Sequence, residues 1–143
     1  PWKMPIIVEK LSGEPIIVAT LSEPMNYAKE VPTMFSRILE IRETIVDSPK
    51  YWLIIEMSRI KPDFDDIMFS LGEARKASKQ RRPDMPVSLH MVGFGGLFKM
   101  LANAMSQHQY GGYAITPLHL SLSEALDVIH VEIGSHPKPT GNR

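Results

Sequence analysis

A chain of 143 residues, 43% apolar and 22% charged, is sized and composed for one ordinary globular domain. Sixteen basic residues balance sixteen acidic ones, so no global charge draws the chain to nucleic acid or to an anionic membrane. It has no cysteine, which excludes disulfides, thiolate metal sites and cysteine nucleophiles and suits a reducing cytoplasm. No apolar run approaches the ~18 residues of a membrane span. The start, Pro1-Trp-Lys-Met-Pro5, lacks the apolar stretch of a signal peptide.

Met4 to Val8 and Pro15 to Leu21 are short apolar runs separated by a polar, glycine-containing stretch, the pattern of a hairpin. A first helix is expected from Pro32, because proline is favoured at a first helical position. Its stripe is Phe35, Ile38, Leu39, Arg42, Ile45 and Val46, and Ser48-Pro49 ends it. Tyr51 to Met57 is apolar on both faces, as in a strand covered on both sides. Asp63 is placed to cap a second helix with the stripe Phe64, Ile67, Met68, Leu71 and Ala74. Val87 to Val92 is the next strand. Gly93-Phe-Gly-Gly96 leads into a third helix, closed by Gly111-Gly112. Tyr113 to Ile115, with Leu118 to Leu120, supplies the last strand. Ser121-Leu-Ser-Glu124 reads as a capping box that opens the last helix. Strands joined by helical crossovers imply parallel pairs. The expected fold is a single α/β domain with a mixed sheet of four to five strands and about four helices, mainly on one face. It spans residues 1–133, with a flexible tail at 134–143.

Two stretches carry a family resemblance. Leu53-Ile-Ile-Glu-Met-Ser58 is an apolar strand ending in an acid, an apolar residue and a small polar one; Leu120-Ser-Leu-Ser-Glu-Ala-Leu126 precedes the last helix. Together with the element order over residues 4–131, they resemble the STAS superfamily, the sulfate-transporter and anti-sigma-factor-antagonist domains. The resemblance implies a regulatory module that acts through a protein partner. In that family the second helix opens on an aspartate, two small hydroxyl residues and a glycine, which form a phosphorylation switch. Asp63 can match the first acid, but Phe64 and Asp65 replace the hydroxyl pair and no glycine follows. The usual switch is therefore not expected.

Several constellations invite chemical readings. Asp63, Asp65 and Asp66 sit where carboxylates favour a helix N-terminus, and they lack the spacing of a calcium loop. Ser58, Arg59 and Lys61 end one strand, and Gly93, Gly95 and Gly96 end what is expected to be its neighbour. Backbone amides and cations there would suit an anion at the carboxyl ends of the strands. His90, in strand phase with Val92, can meet Glu56 from an adjacent strand. The basic run Arg75, Lys76, Lys79, Arg81 and Arg82 closes a helix and has no interleaved aromatics, so nucleic acid is not expected. Met34, Ile41, Phe69, Phe94 and Phe98 fall off the helix stripes and are expected to form an interface.

The functional expectation is a non-enzymatic regulatory or interaction module, self-associating, without cofactor, metal site or catalytic residues. Two alternatives stay open. One is a small-ligand or nucleotide sensor that binds an anion at the strand-to-helix loops. The other is a tautomerase-like enzyme with Pro1 as base, since Pro5-Ile-Ile-Val8 resembles the beginning of such enzymes.

Overall fold

The computed structural model describes residues 4–107, 109 and 116–135. The elements, in chain order, are β1 (Ile6–Lys10), β2 (Ile16–Ser22), α1 (Tyr27–Arg42), β3 (Tyr51–Arg59), α2 (Phe64–Ser78), β4 (Val87–Val92), α3 (Gly96–Met105), β5 (Leu118–His119) and α4 (Leu122–Ser135). The five strands form one sheet in the order β1-β2-β3-β4-β5. β1 is antiparallel to β2; every other neighbouring pair is parallel. The fold is thus the expected mixed α/β sheet with four helices.

The sheet grows in one direction, one strand per crossover. Crossovers of the usual right hand then put their helices on the same face. Accordingly α1, α2 and α3 bury Val31, Met34, Ile38, Ile67, Leu71, Phe98 and Leu101 against Ile17, Leu53, Ile55, Leu89 and Met91. The last helix leads to no further described strand and lies on the opposite face. Its Ala125 and Ile129 pack on Ile16, Val18, Trp52, Ile54 and Val92. β3 is therefore covered on both sides, which is why Tyr51 through Met57 are all buried.

The first helix differs most from the sequence reading. It begins at Tyr27, where the Asn26 side chain accepts from the Lys29 amide at 3.3 Å, and Pro32 lies inside it. It ends at Arg42, so Val46 is outside it and exposed. Val31, Met34, Ile38 and Arg42 are its buried positions. Starting the helix at Pro32 omits Val31 and turns the apparent stripe away from Met34. The third helix ends at Met105 with Ser106 as its C-cap. The proposed closing pair Gly111-Gly112 and the strand Tyr113–Ile115 lie outside the described residues, as does Pro1. The last helix includes Gly134 and Ser135, which were expected in the tail; residues 136–143 lie outside the described part. Among the described residues no helix is long and apolar enough to cross a membrane.

Candidate functional site at the carboxyl edge of the sheet

Because β2 to β5 are parallel, four loops gather at one edge of the sheet: β2–α1, β3–α2, β4–α3 and β5–α4. Loops at this edge are where open α/β sheets place ligands. Glu23 ties the first two together. One carboxylate oxygen accepts from the Met25 amide at 3.0 Å; the other accepts from the Tyr27 hydroxyl at 2.8 Å and from the Lys61 amide at 2.9 Å. The Lys61 amide bond, more than any other contact, holds the Glu23 carboxyl below its usual range. Burial, reinforced by Glu23, pushes the Tyr27 phenol far up, so it remains a donor.

The sequence-designated residues fall around this clamp. Glu56 reaches forward along its own strand and accepts from both the amide and the hydroxyl of Ser58, at 2.8 and 2.7 Å. Glu56 is thus engaged with Ser58 and does not pair with His90. Asp63 and Asp66 form a reciprocal capping box: Asp63 accepts from the Asp66 amide at 2.8 Å, and Asp66 accepts from the Asp63 amide at 3.0 Å. These carboxylates stabilise the start of α2. Among the described residues no group of three His, Asp or Glu is arranged to hold a metal ion.

Arg59, the last residue of β3, and Lys61, just past it, are exposed, and Gly95 and Gly96 are exposed past the end of β4. Glu56 and Val92 are register partners, so these two loops leave neighbouring strands at the same level. Gly95 caps α3 with φ of 106°, a left-handed conformation that favours glycine, and provides no side-chain cap. Gly93 has a different task. It is buried, and a Cβ there would lie 2.9 Å from the Phe98 ring.

The expected interface residues divide. Met34 and Phe98 belong to the core, with exposures of 3% and 8%, and Ile41 packs partly against it. Phe69 and Phe94 are exposed. Phe64 and Leu120, which the sequence reading assigned to a buried stripe and to a strand, are exposed, Phe64 at the start of α2 and Leu120 on the loop after β5. Phe64 opens α2, which leaves it at the rim, where the stripe has no neighbour to cover it.

On the other face of the sheet a buried histidine pair holds α4. His90 Nδ1 and His119 Nε2 are 2.9 Å apart, His90 Nε2 is 3.0 Å from Glu132, and His119 Nδ1 is 3.8 Å from Glu124. With Glu132 accepting, His90 Nε2 carries the proton. A neutral His90 then offers Nδ1 as acceptor, and His119 Nε2–H donates to it. Burial pushes the His90 imidazole below its usual value, although Glu132 opposes this. His130, 2.6 Å from Glu14, ties the same helix to the β1–β2 turn. The strand phase of His90 was readable, but its partners depend on α4 lying on that face.

Comparison of the chain with protein-family profiles, with curated proteins and with solved structures gives no match.

Proposed function

We propose that the protein is a non-enzymatic interaction module of the regulatory kind that its resemblance to STAS domains implies, and that it works through the carboxyl edge of its sheet, first with a second copy of itself. The observation that supports this reading is the exposure of three large apolar side chains on or at the end of three successive loops: Phe64, where its loop enters α2, at 54%, Phe94 at 69% and Leu120 at 70%. The loops follow β3, β4 and β5, which are adjacent in the sheet. Apolar surface left in water forfeits roughly 25 cal/mol per Å². Exposed aromatic residues at the centre of a patch are the usual anchors of interfaces. Arg59 and Lys61, exposed three to five residues before Phe64 in the sequence, would form its polar rim.

The module works without the family's phosphorylation switch. Neither Phe64 nor Asp65 has a hydroxyl, the Ser58 hydroxyl is engaged by Glu56, and the Asp63 carboxylate is occupied in capping α2. Light scattering over a concentration series tests the reading. The wild type is expected to associate, whereas Phe64→Asp and Phe94→Asp stay monomeric with unchanged circular dichroism. A wild type that is monomeric throughout the series refutes self-association through this edge.

A further inference from the structure

A cavity lies at the opposite, amino edge of the sheet. It is a cleft of about 350 Å³ between the C-terminal ends of α1 and α2 and the first residues of β3 and β4. This is within the range of about 300–1,000 Å³ typical of small-molecule sites. Its walls are apolar: Phe35 and Leu39 from α1, Leu53 from β3, and Met85 before β4. Among the described residues, every charged side chain that lines it is an arginine, namely Arg42, Arg81 and Arg82. Tyr51 lines it too, and burial pushes that phenol up, so it stays protonated.

The arginines are held from behind. Arg42 is buried; its Nε donates to Glu43 at 2.9 Å and its Nη1 to the Gln80 carbonyl at 2.9 Å. Arg82 is bridged to Asp84 at 2.7 Å and to Glu43 at 3.3 Å. Neither carboxylate lines the cleft. Each is held below its usual range, Glu43 chiefly by Arg42 and Asp84 chiefly by Arg82. Two carboxylates thus orient the guanidinium groups of Arg42 and Arg82, and with Arg81 beside them three guanidinium groups outnumber two carboxylates on that side of the cleft. Part of this arrangement serves the helix ends, where cations complement the dipole. Helix-end chemistry alone does not account for an apolar cleft beside an arginine side chain, that of Arg42, that is about nine-tenths buried.

We propose that this cleft binds a small anionic amphiphile: an apolar body against Phe35, Leu39, Leu53 and Met85, with one carboxylate head at Arg42 and Arg81. A planar carboxylate matches the guanidinium fork, and the apolar walls select against a hydrophilic anion. The site is separate from the carboxyl edge, so either proposal can fail without the other.

The test uses octanoate and 1-octanol, which share a chain and differ in the charged head, followed by amide NMR of the full chain. Octanoate is expected to bind at least about tenfold more tightly, the margin of a charge-assisted hydrogen bond. Its largest shifts should fall on Tyr51, Leu53 and Val87, with Gly95 and Gly96 unmoved. Arg81→Ala should weaken octanoate severalfold and leave octanol unchanged. Leu39→Trp, which fills the cleft, should abolish both, and Phe94→Asp should change neither. Equal affinity for the two probes, shifts centred on the carboxyl edge, or no binding at millimolar octanoate each overturn the proposal. If Leu39→Trp fails to fold, the octanol comparison and Arg81→Ala still decide.

Discussion

Gly93→Ala is the sharpest perturbation that the fold offers, because it adds one methyl at a place with no room. The new Cβ would stand 2.9, 3.2 and 3.3 Å from Cδ2, Cε2 and Cγ of Phe98. The ring cannot swing out freely, since Phe98 is only 8% exposed among core side chains. The backbone cannot retreat easily either, because the Gly93 amide donates to the His119 carbonyl at 2.9 Å. Overpacking of this kind costs about 1–3 kcal/mol. Gly93 is not in the left-handed region, so no backbone strain is added. Loss of unfolded-chain freedom returns about 0.4–1 kcal/mol. The net expectation is a loss of about 1–2 kcal/mol, which lowers Tm by roughly 3–6 °C for a domain near this size. Urea unfolding and calorimetry measure it. Gly96→Ala is the control: nothing lies within 4 Å of its added Cβ, and it should be neutral or stabilising. Trimming the ring in Gly93→Ala/Phe98→Leu should cost less than the two single changes added together. A Gly93→Ala protein as stable as the wild type, or a strictly additive double variant, refutes the reasoning.

The buried His90 makes stability depend on pH. Its native pKa lies below its unfolded value of about 6.5, so the unfolded chain binds more protons in between. The contribution is full above pH 6.5 and is lost as pH falls toward the lowered native value; chemical denaturation at pH 7.5 and 5.5 should show the drop, and His90→Gln should flatten it. Glu23→Ala removes three hydrogen bonds to a carboxylate and should speed exchange of the Lys61 amide selectively, at a cost of about 1.5–3 kcal/mol; unchanged Lys61 exchange would show that the two loops hold without the clamp. Phe69→Asp should leave the monomer folded because Phe69 is exposed, whereas Leu71→Asp should cost more than about 4 kcal/mol by burying an unpaired charge, as read by circular dichroism and thermal melts.

Local chemistry was legible in the sequence wherever the residues that interact lie within a turn of each other. The Asp63 cap, which the structure completes with Asp66, and the Ser121–Glu124 pair follow from neighbouring donors and acceptors; Ser121 Oγ accepts from the Glu124 amide at 3.1 Å, and Glu124 reaches back to the Leu120 amide at 3.2 Å. The central place of β3 follows from apolar residues at both strand phases, a pattern stable only between two covered faces. Strand and helix order give the mixed sheet for the same reason. What depended on distant partners was not legible. Met34 and Phe98 look surplus until α1 is seen to begin at Tyr27 and Gly93 is seen to leave space for a ring. The partners of His90 come from β5 and α4, 29 and 42 residues away in sequence, and meet only because the last helix crosses to the other face. The amino-edge cleft is lined by residues of α1, α2, β3 and β4 that lie far apart in the sequence. Periodicity fixes which side of an element is apolar. Only packing decides which other element lies against that side, because that choice is set by contacts between residues that no short-range pattern couples.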